Sequence, residues 1–266
     1  MAPTLLAASV TPLRDGGSEV DLDAIGPLWT YLRDGGVHGV FCCGTTGEGV
    51  LLTLDERRAV ATRFREVCDA RLIVHAGAQT TSHTVVLAEH ARSLGADGVA
   101  VIPPPYYPLD EDSLVEHFCA AAEACAPVPF YLYAFTARSG YPLPVEVVQR
   151  VRERSSNVAG LKVSESPFEA VKPYLELGLP VYVGSEPLIP EALAAGAEGS
   201  VSGLAAAFPE VVAAALRDPG EATAAPLREL RGRLGAPRFI AGLKAELARR
   251  GLPVTADVRA PLGAAG

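Results

Sequence analysis

The sequence predicts an α/β protein: one closed (β/α)8 (TIM) barrel carrying a short C-terminal helical extension. Three observations lead there. Eight short apolar runs alternate with longer helical patterns across 266 residues, a length common for a single such barrel. The runs are near-continuously apolar rather than alternating, as parallel strands covered on both faces are. The first run is followed by Thr11-Pro12-Leu13 and no G-x-G-x-x-G, the phosphate loop that an open doubly wound sheet usually shows.

The candidate strands are Leu5–Ser9, Gly39–Cys43, Leu72–Ala76, Gly98–Ile102, Phe130–Tyr133, Val158–Val163, Val181–Gly184 and Gly199–Ser202. Asp21 caps a helix to Leu32, which Gly35-Gly36 stops. Thr53-Leu54-Asp55-Glu56 is a capping box opening a helix to about Cys68. Patterns from Ser82 to Leu94, Asp112 to Cys125, Pro144 to Arg154, Pro167 to Leu177, Leu188 to Ala195 and Pro209 to Arg217 supply the remaining helices. Gly36-Val37-His38-Gly39, Gly95-Ala96-Asp97-Gly98 and Gly196-Ala197-Glu198-Gly199 form a weak repeat where helix gives way to strand, and the first glycine of each suits a left-handed helix stop. Two further helical patterns, Glu221 to Leu234 and Phe239 to Arg250, make the extension, dividing the chain into a barrel at 1–217 and an extension at 218–266. The Ala-, Pro- and Gly-rich tail beyond Pro253 reads as loose.

Composition narrows the function classes. A net charge of −8 disfavours nucleic acid and anionic membrane as partners. No apolar run reaches bilayer length, and no basic-then-apolar leader opens the chain, so the protein reads as cytoplasmic. Five cysteines, an odd number without Cys-x-x-Cys spacing, read as reduced and mostly buried thiols. The histidines are scattered; His83 and His90 share a helix face but lie two turns apart, and no metal site is expected.

In barrels of this kind chemistry gathers at the C-terminal ends of the strands. Strand six, Val158-Ala159-Gly160-Leu161-Lys162-Val163, carries an amine in an apolar run. The chain has three lysines against twenty arginines. Lys172 and Lys244 lie in mixed-charge helical contexts from which they can snorkel to water; Lys162 does not. Buried amines tend to shed their proton, and a neutral amine is what a Schiff-base nucleophile must be. Strand two ends in Gly44-Thr45-Thr46-Gly47-Glu48, a turn of exposed N–H groups and two hydroxyls suited to a small carboxylate. Strand four ends in a stiff proline loop presenting Tyr106 and Tyr107. Strand five ends in Tyr131-Leu132-Tyr133, both phenols on one face, with Arg138 five residues on; strand seven ends in Gly184-Ser185-Glu186. No flavin or nucleotide motif accompanies them, so the lysine itself serves as electron sink, as an imine with a 2-oxo acid, and no separate cofactor is expected.

These residues resemble the dihydrodipicolinate synthase / N-acetylneuraminate lyase family of class I aldolases. The resemblance runs from Ala8-Ser9-Val10-Thr11-Pro12 to the region of Arg250, and is most specific at Gly44-Thr45-Thr46-Gly47-Glu48, Tyr107, Tyr133, Arg138 and Gly160-Leu161-Lys162. It implies a Schiff base between Lys162 and pyruvate, proton transfer by Tyr133, and Thr45 linking Tyr133 to Tyr107. Thr46 with Gly44 and neighbouring N–H groups would hold the pyruvate carboxylate. Tyr107 would enter from a neighbouring subunit, implying a homodimer or homotetramer. Arg138 with Ser164 or Glu186 would meet a partner aldehyde. Tyr133-Ala134-Phe135-Thr136 departs from the synthase pattern and leans away from aspartate semialdehyde; Leu54, Arg57, Thr81 and Val85 depart from the feedback lysine site, where Tyr106 is retained. Gly203 replaces a hydroxyl expected near strand eight, which leans away from sialic acid. The reading is a pyruvate-dependent aldolase or lyase acting on small molecules; alternatives are a keto-deoxy sugar acid dehydratase using the same imine and a non-catalytic keto-acid-binding relative.

Overall fold

Strands apolar on both faces need a cover on each, and a closed barrel supplies one from its own interior and the other from a ring of helices. The computed structural model describes residues 2–235 and 237–263. In chain order its elements are β1 (Thr4–Ala8), β2 (Leu13–Arg14), β3 (Glu19–Val20), α1 (Ile25–Asp34), β4 (Gly39–Cys42), α2 (Leu54–Val67), β5 (Arg71–His75), α3 (Thr81–Ser93), β6 (Gly98–Val101), α4 (Glu111–Cys125), β7 (Phe130–Ala134), α5 (Thr136–Ser139), α6 (Val145–Arg154), β8 (Val158–Val163), α7 (Lys172–Leu175), β9 (Val181–Val183), α8 (Ile189–Ala194), β10 (Gly199–Ser202), α9 (Pro209–Arg217), α10 (Glu221–Leu234) and α11 (Phe239–Arg249). All strands but β2 and β3 close a parallel barrel in the order β1-β10-β9-β8-β7-β6-β5-β4. The expected strands all appear, each within one residue of its predicted ends. The antiparallel β2–β3 ribbon, Leu13 opposite Val20, is an addition that two-residue strands give no periodicity to announce.

The alternation hidden in the apolar runs is real. Along β7, Tyr131 and Tyr133 face the barrel interior with Leu6, Phe41, Ile73 and Tyr182, while Phe130 and Leu132 face the helices with Trp29, Phe64 and Phe118. Each fully buried large apolar side chain contributes about 1.5–3 kcal/mol. Arg71, at the start of β5, closes the N-terminal end of the interior: its guanidinium donates to Tyr182 Oη at 2.9 Å and to Tyr131 Oη, between the two rings. Tyr131 is thereby committed to the floor, leaving Tyr133 as the phenol at the mouth.

The local signals hold at most helix ends. Thr53 and Glu56 form the reciprocal capping box of α2, and Gly36, Gly95 and Gly196 take φ of 90°, 65° and 93° at helix stops. Three expectations are corrected. Asp21 does not cap α1; it accepts from the N–H groups of Asp23 and Ala24 in a preceding turn, and α1 starts at Ile25. The Pro167–Leu177 segment is not one helix but a 3-10 turn (Phe168–Ala170) followed by α7, because Pro173 has no N–H to carry a ladder across. The stretch after Pro253 is not loose as far as Gly263; residues 264–266 lie outside the described residues. Val254 and Val258 are buried, and Thr255 Oγ1 donates to Leu13 O at 2.8 Å. Among the described residues no helix is long and apolar enough to cross a membrane.

Candidate active site

The site starts from strand register. Parallel pairing sets Tyr133 beside Lys162 and Lys162 beside Tyr182, so the three side chains enter the interior at one level. Lys162 is 4% exposed, and its Nζ lies 4.1 Å from the ring centroids of both Phe41 and Tyr133. Among the described residues no carboxylate pairs with it; the buried ion pair of the barrel belongs to Lys244. Tyr133 is 1% exposed, and its Oη sits 3.4 Å from Thr45 Oγ1. The amine thus stands between aromatic faces with one phenol and one hydroxyl close by.

The turn after β4 is bent at both ends by non-glycine residues in the left-handed region, Cys43 (φ 57°) and Glu48 (φ 56°). A Cβ on Gly44 would stand 2.6 Å from the Phe41 ring, so only glycine lets that ring lie beneath the turn and against the amine. Thr11 Oγ1 donates to Gly47 O at 2.7 Å, and Glu48 N donates to Thr45 O. The N–H groups of Thr45, Thr46 and Gly47 have no acceptor among the described residues and are available to an anion.

His75, at the end of β5, completes the inner wall and was not singled out in the sequence, although the rule applied to the other strand ends would have found it. It is 3% exposed, its ring is edge-on to Tyr133, and Nδ1 donates to Cys43 O at 3.2 Å. Burial first, then Arg57 and Lys162 nearby, push its pKa well below the imidazole range. Arg57, buried behind it, donates to the carbonyls of His75 and Gly77. His117, buried between α3 and α4, is pushed down to about 4 by burial. Both histidines have lower pKa values folded than unfolded, so the unfolded chain takes up their protons first. Their stabilising contribution is full above about pH 6.5 and falls as pH drops toward the folded values, at about 1.4 kcal/mol per pH unit for each. Urea unfolding at pH 7 and pH 5 is expected to show this loss, and His117→Gln to reduce the slope; equal stability at the two pH values would refute it.

Above the amine lies a cavity of about 770 Å³. Lys162, Tyr133, Thr45, Thr46, Gly44, Ser164, Arg138, Glu186 and Gly203 all line it, so nine of the residues singled out in the sequence meet in one space. Gly203 leaves room there: a Cβ would be 3.2 Å from both Thr46 Oγ1 and Phe239. Arg138, on α5, is exposed and lies over the Phe135 ring. Glu186 is fully buried: Oε1 accepts from Ser202 Oγ at 2.8 Å and from Leu204 N at 2.9 Å, while Oε2 has no hydrogen-bond partner among the described residues and lies 3.7 Å from Arg231 Nε. Tyr107 stands apart. It is 71% exposed and edge-on to Tyr106, and it does not line the cavity.

The opposite wall comes from the C-terminal segment: Arg231, Phe239, Ile240, Pro261 and Leu262. A buried ion pair fixes that segment. Lys244, expected at the surface, is 0% exposed and donates to Glu48 Oε1 and Asp257 O, because Glu48 at the left-handed end of the strand-two turn points into the same interior. Arg259 N donates to Glu48 Oε2 at 2.7 Å, and its side chain donates to Glu56. Burial lowers the Lys244 pKa, opposed by the Glu48 charge.

Comparison with known proteins agrees with this architecture. The model of the dihydrodipicolinate synthetase family matches residues 2–265. An uncharacterised DapA-like lyase of Halobacterium salinarum is 35% identical over 263 residues, 93% of this chain and 84% of the relative. The 4-hydroxy-tetrahydrodipicolinate synthase of Prochlorococcus marinus is 34% identical over 203 residues, 74% of this chain and 67% of the relative. Among solved structures, the N-acetylneuraminate lyase of Aliivibrio salmonicida superposes with a TM-score of 0.91 at 27% identity, covering 99% of this chain and 92% of that one. With the family match spanning nearly every residue and the barrel closed as in these relatives, the chain belongs to the dihydrodipicolinate synthetase family.

Proposed function

We propose that this protein is a pyruvate-dependent class I aldolase or lyase. The observation that carries the reading is the buried Lys162 amine, paired with no carboxylate among the described residues, between Phe41 and Tyr133 at the base of the cavity. Lys162 Nζ attacks the keto carbon of a 2-oxo acid, and the carbinolamine loses water to give the imine. Tyr133, with Thr45 on its hydroxyl, passes the protons of these steps. Loss of a C3 proton gives the enamine, whose C3 bonds to an aldehyde carbon; hydrolysis frees the product and restores the amine. Retro-aldol cleavage runs the same steps backwards. The open N–H groups of Thr45, Thr46 and Gly47, with the Thr46 hydroxyl, take the carboxylate.

The exposed Tyr106–Tyr107 pair supports a second copy of the chain packing there, as the resemblance implies for Tyr107. The test is chemical. Incubation with pyruvate and borohydride is expected to add the mass of one reduced pyruvyl group, carried on the peptide containing Lys162. An unmodified protein, or a label on another peptide, would remove the reading.

A further inference from the structure

The cavity is two-sided. Its hydroxyls stand close to the amine: Thr45 and Thr46 on the turn after β4, and Ser164 and Ser185 just beyond the register that sets Lys162 beside Tyr182. The side built by the C-terminal segment is carbon. Pro237, Phe239, Ile240, Pro261 and Leu262 line it, five side chains without one polar atom among them. Val50 adds an exposed apolar side chain to the same lining. The space is about 770 Å³, far more than a three-carbon keto acid fills, so most of it is left to the second substrate.

The carbon surface begins deep in the cavity. Gly203, just after β10, has no side chain, and a Cβ there would stand 3.2 Å from both the Phe239 ring and Thr46 Oγ1. The missing methyl lets the ring meet the strand end beside Thr46, next to the turn proposed for the carboxylate.

The charges on this side are answered within the protein. Arg231 has its Cζ 4.3 Å over the Phe239 ring and its Nε 3.7 Å from Glu186 Oε2, an oxygen with no hydrogen-bond partner among the described residues. Each of the two is the other's counter-ion. Glu48 is paired in the same way with Lys244. A polyhydroxy tail laid on this wall would exchange its water partners for carbon, which is costly for every hydroxyl buried. An alkyl or aryl tail gains with each methylene it takes out of water.

We propose that the second substrate is an uncharged aldehyde with an apolar alkyl or aryl substituent, and that Phe239 and Leu262 are specificity-determining residues that pack against it. This rests on the imine reading above and names the substrate class which that reading leaves open.

Product-shaped 2-oxo acids without a 4-hydroxyl test it, because they form the imine and cannot be cleaved. The probes are 2-oxohexanoate, 2-oxooctanoate, 2-oxo-6-phenylhexanoate, the hydroxylated 2-oxo-5,6-dihydroxyhexanoate, and 2-oxopimelate, an anion about as long as 2-oxooctanoate. Each is titrated in borohydride trapping, and its half-saturating concentration is divided by that of pyruvate in the same protein. In the wild type 2-oxooctanoate is expected to half-saturate about tenfold or more below 2-oxohexanoate, the scale of burying two further methylenes. 2-Oxo-5,6-dihydroxyhexanoate is expected to need about tenfold more than 2-oxohexanoate, and 2-oxopimelate more than 2-oxooctanoate. Phe239→Ser and Leu262→Ser are each expected to raise the 2-oxooctanoate value about threefold or more, and Phe239→Leu to keep it near wild type. The tighter of 2-oxooctanoate and 2-oxo-6-phenylhexanoate identifies the substituent as alkyl or aryl.

Failure of the two readings is distinguishable. If pyruvate itself is not trapped by the wild type, the imine reading falls and this inference with it. If pyruvate is trapped but chain length brings no gain, or the hydroxylated or anionic probe binds more tightly than its apolar counterpart, the apolar substrate alone is overturned. A gain with chain length that both serine variants leave unchanged overturns the assignment of Phe239 and Leu262.

Discussion

Replacing Lys162 with Ala is expected to abolish turnover and borohydride trapping together while the protein stays folded. The side chain is buried with no ion pair and no hydrogen bond among the described residues, so its truncation strands no partner. What disappears is the covalent route proposed above. Enzymes stripped of their nucleophile lose on the order of 10⁶ in kcat, retaining only what binding and electrostatics supply. Lys162→Arg is the sharper companion, because it keeps nitrogen in the cleft yet cannot form the imine. Pyruvate consumption with an accepted aldehyde, followed beside thermal unfolding, checks both variants. Turnover within about tenfold of wild type in either would show that no imine is made there.

The second large effect concerns stability. Lys244→Met is expected to cost about 3–5 kcal/mol, the scale for breaking a buried ion pair from one side. Both partners are 0% exposed, so solvent screening does not soften the loss. The two halves of the pair are not equivalent. Without Lys244, Glu48 keeps the Arg259 N–H but is left as a buried anion with no cation beside it. Without the Glu48 charge, Lys244 still donates to Asp257 O, and its already lowered pKa eases release of the proton. Glu48→Gln should therefore cost less than Lys244→Met, and the double variant should recover part of the loss. Urea unfolding of the three variants decides this; equal losses in the two single variants would contradict the asymmetry.

The barrel was legible because its demands are local and repeated. A strand covered on both faces must be apolar throughout, and a helix ending ahead of it favours a glycine such as Gly36, Gly95 or Gly196. Lys162 was legible because burying an amine in such a run is costly, and chemistry is the common return for that cost. Lys244 was not. Its mixed-charge helix looks like any solvated one, and its partner lies 196 residues away. The tail beyond Pro253 was hidden for a related reason: Ala, Pro and Gly carry no periodicity, and Thr255, Val258 and Arg259 are fixed by contacts that only the closed barrel creates. Arg231 and Phe239 went unremarked as wall residues because nothing in a helical pattern says that its end will overhang a cleft.

The clasp between Glu48 and Lys244 also orders events in time. During translation at about 5–20 residues per second, the first of the two emerges about 10–40 s before the second. Throughout that interval the turn after β4 bears an acid whose counter-ion has not yet been made. A ribosome-bound chain that has not yet made Lys244 and Arg259 can have every barrel strand and still lack the wall that closes the cavity.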